Sequence, residues 1–257
     1  MVIRMVTALT VRGIGEPHRR QNNTATRAAH LMGTVSRVDD VPWAATYGPF
    51  GGPQDSPSFQ VAVDEAIRMV DECVADADGP VVVIGFSGGA TVAGHYVRRV
   101  HDGRLDRRGL VAAGLIADPH MPKYVQGRDP HGDPAWGVAG SRDTGDTVPV
   151  RWAWSAGDPI PCTPRLDPLR TIADQTAAMA LGDPSAWTND LLDRLRRGRW
   201  QPSAIDWRDP LGTLRRYKRA IEAAARYLGG DHVVPYQEGH IPETLAAQLD
   251  EIVEASQ

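Results

Sequence analysis

The chain has 257 residues, 42% of them apolar and 23% charged, enough to bury a sizeable core as one α/β domain with a helical insertion. Its net charge of −4 is spread over interspersed Arg, Asp and Glu, which excludes the basic stripe that a nucleic-acid partner requires; the arginines at 194, 196, 197 and 199 read as the solvated end of a helix. Two cysteines, Cys73 and Cys162, are too few for a disulfide framework, although a single bridge stays open, and no window reaches the length of a membrane span.

Residues 2–12 predict a first strand, with neither the charged start nor the long apolar stretch of a signal peptide, so synthesis in a cytoplasm is expected. It ends in Arg12-Gly13-Ile14-Gly15-Glu16-Pro17, a glycine-rich loop at the sheet end where α/β proteins place their ligands. Residues 21–32 predict a helix. After a Pro/Gly-rich loop from Tyr47 to Pro57, Val63, Ile67, Val70 and Val74 recur at helical spacing and predict a helix over 58–77, which Asp78-Gly79-Pro80 ends. Val81-Val82-Val83-Ile84 does not alternate, as suits a parallel strand covered on both faces.

That run leads into Gly85-Phe86-Ser87-Gly88-Gly89, a G-x-S-x-G pentapeptide, and then a helix to about His101. A strand from Leu110 to Ala117 stops at Asp118-Pro119, a long polar loop fills 118–146, and a strand from Val148 to Trp154 ends in Ser155-Ala156-Gly157-Asp158-Pro159. Residues 163–229 are mostly helical in pattern, closing with an amphipathic helix around Leu214, Tyr217, Ile221, Ala224 and Leu228 and a Gly229-Gly230 stop. A short strand or turn over 231–236 precedes a last helix over 242–255. The alternation predicts a central, mostly parallel sheet with helices on both faces, divided into a core over 1–162, a helical insertion over 163–229 and the rest of the core over 230–257.

A buried strand, a sharp turn and a helix are what a nucleophile elbow needs, which makes Ser87 the candidate nucleophile. Gly85 and Gly89 stand where a Cβ would strike the neighbouring helix or strand. A serine hydroxyl needs a base, and the base needs an acid, in the chain order Ser, Asp or Glu, His. Only His232 and His240 follow in that order; His232 is favoured because it opens the last connection, while His240 is nearer the final helix. Asp158, in a turn after a strand, is favoured as acid over Asp118, which fits better as the residue stabilising the turn before Pro119. The oxyanion would be held by the amides of Gly88 and of Ile14 or Gly15. This chemistry needs no metal and no organic cofactor.

Taken together, Val11-Arg12-Gly13-Ile14-Gly15-Glu16-Pro17, Gly85-Phe86-Ser87-Gly88-Gly89-Ala90, Ala117-Asp118-Pro119, Gly157-Asp158-Pro159-Ile160 and His232 followed by Tyr236 resemble the motifs of cutinase-like serine esterases. With the length and the helical insertion of about 70 residues between Asp158 and His232, the chain resembles most the lysin B esterases of mycobacteriophages and actinobacteriophages. The resemblance implies a cutinase-like α/β-hydrolase fold, Ser87, Asp158 and His232 as triad, and Ile14 and Gly88 as oxyanion hole. It implies hydrolysis of the ester between mycolic acids and arabinogalactan during phage lysis, by a protein made in the host cytoplasm, expected as a monomer, that acts on the envelope. Two departures stand out: Gly88 replaces the family's glutamine, and Pro235 alters its His-x-x-Tyr spacing. Trp136, Trp187, Trp200 and Trp207 are candidate walls for an acyl chain, with core packing the alternative for each.

Overall fold

The run of β-branched residues around Val82 takes the centre of the sheet. A computed structural model of the chain describes residues 5–18, 23–47, 53, 56–125, 127–176, 205–206 and 208–256. Five strands, β1 (Val6–Val11), β2 (Val35–Asp40), β3 (Val81–Phe86), β4 (Leu110–Ile116) and β6 (Val150–Ala153), form a parallel sheet in the order β2-β1-β3-β4-β6. All six residues of β3 are buried, because successive side chains leave opposite faces and both faces are covered. Val81 and Val83 pack with Val63 and Ile67 of α2 (Phe59–Ala75) and Val92 and Tyr96 of α3 (Gly88–His101). Val82 and Ile84 pack with Ala25 and Ala28 of α1 (Thr24–His30) and Leu245 and Leu249 of α7 (Ile241–Ala255).

This order has a switch point between β1 and β3. From there the chain leaves β1 toward α1 on one face and leaves β3 toward α3 on the other, so the loops after both strands frame one crevice at their carboxyl ends. Strand β2, which sequence patterning does not signal, explains why: among the described residues Val35-Ser36-Arg37-Val38-Asp39-Asp40 is an edge strand that pairs with β1 alone and leaves Ser36 and Arg37 exposed. Of the first strand expected over 2–12, Val6–Val11 is strand and Met5 is not, while residues 2–4 lie outside the described residues.

The long segment after β4 is not featureless. A 3₁₀ turn at Lys123–Val125 and a two-residue strand β5 (Ala135–Trp136), antiparallel to β7 (Thr163–Pro164), organise it. Two buried arginines hold it in place. Arg142 reaches the Asp118 carboxylate at 2.6 Å, and Arg170 of α4 (Pro168–Thr176) donates to Gly137 O at 2.7 Å, Trp136 O at 3.1 Å and Pro164 O at 2.8 Å. Much of the expected insertion, residues 177–204 and 207, lies outside the described residues, and with it Trp187, Trp200, Trp207 and the arginines from 194 to 199.

The chain is described again along the amphipathic helix α5 (Pro210–Arg226), which Asp209 caps through Gly212 N. It buries Gly212, Ala220 and Ala223 and turns Leu211, Leu214, Tyr217 and Ile221 outward, so close approach through small residues sets its orientation. Of the short strand or turn expected over 231–236, the turn is present at His232 and Val233, and the rest is helical. A wide turn at Tyr227–Asp231, with Gly230 at φ 107°, leads to α6 (Val234–Gln237), where Pro235 is tolerated because it sits in the first turn. The β-branched pair Val233-Val234 misleads here, since the turn and the proline override its strand preference.

Candidate active site

Strand β3 must turn sharply into α3, and two glycines let it. A Cβ on Gly85 would lie 2.4 Å from Gly89 O, and one on Gly89 would lie 1.9 Å from Val11 O, so helix and sheet touch backbone to backbone. Ser87, between them, takes φ 54° and ψ −116°, a conformation that costs a non-glycine residue about 1–3 kcal/mol and persists only when its surroundings impose it. Its N–H is held by Ile116 O at 2.9 Å, and its carbonyl starts α3 by accepting from Ala90 N and Thr91 N. The hydroxyl is thereby presented at the crevice, partly open to solvent.

His232 meets it there. Ser87 Oγ lies 2.8 Å from His232 Nε2, and His232 Nδ1 lies 2.8 Å from Asp158 Oδ2. The imidazole stacks on Phe86, with ring centroids 5.2 Å apart, and Tyr227 covers it at 5.1 Å. Asp158 is completely buried but not bare. Its Oδ2 also accepts from the Tyr236 hydroxyl at 2.8 Å, and its Oδ1 accepts from Ile160 N at 2.9 Å. Burial and the nearby Asp158 charge push the Tyr236 hydroxyl well above its ordinary pKa, so it remains a donor, while its oxygen accepts from Ser155 N at 3.0 Å. His232 and Tyr236 are one helical turn apart in sequence, which brings both to the same carboxylate oxygen across the inserted Pro235.

The rivals sit elsewhere. Asp118 is buried against Arg142, accepts His120 N at 2.9 Å across its own turn and takes a longer contact from Trp152 Nε1 at 3.4 Å. Burial pushes its carboxyl up, and Arg142 pulls it back toward the charged form. His240 is exposed at the start of α7 and makes no side-chain cap there. His95 and His120 form an edge-on pair 4.9 Å apart beside Arg142. Burial, then the Arg142 charge, lowers His95 to about 3; burial, His95 and Arg142 hold His120 well below its ordinary value.

The glycine-rich loop after β1 lies against the elbow. A Cβ on Gly88 would be 2.8 Å from the Ile14 side chain, and one on Gly13 would be 2.7 Å from the Phe86 ring. Gly88 opens α3, so its N–H has no carbonyl a turn earlier to bind. Gly15 N is already bonded to Ala45 O at 3.1 Å, which removes it as an oxyanion donor and leaves Ile14 N, free of any partner among the described residues. Sequence reasoning overlooks Arg12, which is buried and donates to Glu16 O, Val41 O and Trp43 O, and the aromatic cover of His232. An arginine directly before a glycine-rich loop is the only local signal for the first.

Trp136 is not an open acyl wall, because Lys123 and Arg170 both lie over its ring, 4.6 and 4.2 Å from the centroid. Cys73 and Cys162 are free thiols, both pushed up by burial. Among the described residues no group of three or more His, Cys, Asp or Glu could hold a metal ion, and no helix is long and apolar enough to cross a membrane.

A parallel sheet with a serine in a strained turn after a central strand, and an Asp and a His delivered from later strand and helix ends, is the α/β-hydrolase arrangement. The sequence matches no protein-family model and no curated protein. Its fold is similar to several solved structures. These include lysin B from mycobacteriophage D29, with 16% identity over 97% of this chain and 98% of that one and a TM-score of 0.45. The catalytic core domain of acetyl xylan esterase from Trichoderma reesei covers 73% of this chain and 99% of its own at 13% identity and a TM-score of 0.46. A cutinase-like protein from Cryptococcus sp. covers 77% and 96% at 15% identity and a TM-score of 0.44.

Proposed function

We propose that this chain is a serine hydrolase of carboxylic esters, with Ser87 as nucleophile, His232 as general base and then acid, and Asp158 as the acid that orients it. The observation that supports this reading is the continuous relay from Ser87 Oγ through His232 to Asp158, two contacts of 2.8 Å beginning at a strained serine. In the acylation step the Ser87 oxygen attacks the ester carbonyl carbon and its proton passes to His232 Nε2. The carbonyl oxygen becomes an oxyanion facing the Ile14 and Gly88 amides. Collapse of this intermediate breaks the bond to the alcohol, which leaves with the proton from His232. Water repeats the sequence on the acyl-serine and releases the acid.

The substrate we propose is the one that the motif resemblance implies, the ester joining a mycolic acid to arabinogalactan. The protein would act as a monomer on the bacterial envelope after synthesis in a host cytoplasm, without a cofactor. The test is turnover of short- and long-chain p-nitrophenyl esters by the wild type and by Ser87→Ala, His232→Ala and His240→Ala, followed by release of mycolic acid from purified mycolyl-arabinogalactan. Loss in the first two variants alone, with mycolic acid released, supports the proposal. Turnover of the chromogenic esters without release would mark a general cutinase-like lipase. No turnover of any ester would leave an envelope-binding module on the same fold.

A further inference from the structure

Between β1 and α1 the chain presents four successive backbone amides, at Gly13, Ile14, Gly15 and Glu16, beside the elbow. Three are committed. Gly13 N donates to Glu16 Oε2 at 2.7 Å, Gly15 N to Ala45 O at 3.1 Å, and Glu16 N to Gly13 O at 3.2 Å. The Ile14 amide is the one left over, at the apex of a tight turn whose Gly15 sits at φ 74°.

The clasp that closes this turn is a single side chain. The second oxygen of Glu16, Oε1, accepts from Thr24 N at 3.0 Å and from Thr24 Oγ at 2.9 Å, at the first residue of α1. That helix is fixed in the core by Ala25, Ala28 and Ala29. The Glu16 carbonyl, in turn, accepts from Arg12 Nε at 2.9 Å. One carboxylate thus ties the start of the loop to a rigid helix, and the loop backbone is tied to the buried guanidinium behind it.

We propose that Glu16 is the positioning residue of the oxyanion site. It touches no reacting atom; it closes the turn so that Ile14 N, alone among the loop amides, is free to face the carbonyl at Ser87. An anion placed near a developing negative charge would be unfavourable by itself, so its retention requires a structural return. That return is the pairing of three donors that nothing else on the loop accepts. The geometry is specific for a carboxylate. A glutamine has one accepting oxygen, so its NH2 would oppose either the Gly13 N–H or the Thr24 N–H, donor against donor. An aspartate is one methylene too short to hold both ends.

The inference rests on the serine hydrolase reading, and the experiment separates the two. Wild type, Glu16→Gln, Glu16→Asp and Ser87→Ala are assayed on p-nitrophenyl butyrate. Active sites are titrated to completion with a p-nitrophenyl alkylphosphonate, so that kcat refers to competent molecules only. A reversible alkylboronic acid reports affinity for a tetrahedral adduct, and thermal melts report folding. Loss of one oxyanion donor lowers kcat by roughly 10²–10³-fold, and misplacing one is expected to lower it by at least about ten-fold, with KM within about three-fold and boronate affinity falling in parallel. A purely structural Glu16 gives a lower melting temperature with kcat per titrated site and boronate affinity unchanged, which overturns the proposal while Ser87→Ala stays inactive. Turnover by Ser87→Ala would instead overturn the hydrolase reading itself.

Discussion

The histidine pair beside Arg142 should make the protein acid-sensitive. His95 and His120 are packed beside Arg142, and although each keeps some exposed area, His120 Nδ1 is enclosed and has no partner among the described residues. With His95 lowered to about 3 and His120 well below its ordinary 6.5, the unfolded chain takes up protons first as pH falls, so stability is lost from about pH 6.5 downward. At pH 5 an unfolded His95 has its ordinary pKa about 1.5 units above the pH, which at 1.36 kcal/mol per unit is about 2 kcal/mol, and His120, also held below its ordinary value, acts in the same direction. Above pH 7 the pair contributes no slope. Urea unfolding followed by tryptophan fluorescence at pH 7, 6 and 5 measures this in wild type, His95→Gln, His120→Leu and the double variant. The drop from pH 7 to 5 should shrink by about 2 kcal/mol in His95→Gln, should shrink also in His120→Leu, and should be smallest in the double variant. If the double variant loses as much stability as the wild type over that range, neither histidine resists protonation in the folded protein.

Asp118→Asn leaves the Arg142 guanidinium buried without its 2.6 Å partner and should cost about 3–5 kcal/mol in urea unfolding, yet spare turnover per folded molecule, since Asp118 does not reach His232. An equally stable variant, or one folded but inactive, would contradict this. Gly89→Ala puts a Cβ 1.9 Å from the Val11 carbonyl, a backbone atom that cannot step aside, and should lose at least about 3 kcal/mol or fail to accumulate as soluble protein. An unchanged melting temperature would mean that α3 can shift on β1. Tyr236→Phe strips Asp158 of one of its three donors and leaves Ser155 N unpaired; a charge-assisted bond of this kind is worth about 1.5–3 kcal/mol. Melting temperature and p-nitrophenyl ester turnover should both fall, and a variant with neither change would remove Tyr236 from the site.

What can be read along the chain and what cannot divide by distance of interaction. Ser87, Asp158 and His232 each stand where an element ends at glycine or proline, so local punctuation marks all three, and the chain order of the residue types selects among the alternatives. The central strand is equally plain, because burial on both faces leaves no room for polar residues in Val81–Ile84. The edge strand β2 escapes notice because solvent on its outer side admits Ser36, Arg37 and the two aspartates, and the partner it has among the described residues, β1, lies about thirty residues away. The same holds for the polar groups that brace the site. Asp118 and Arg142 are 24 residues apart, Gly137 and Arg170 are 33 apart, and no periodicity marks either arginine as buried. Glu16 is the intermediate case. Its place directly after the Gly-Ile-Gly turn is visible, but the reason for a carboxylate there appears only when α1 folds back to offer the Thr24 amide and hydroxyl. A sequence can therefore announce reacting groups at element ends, whereas the groups that aim them announce themselves only through the partners that folding supplies.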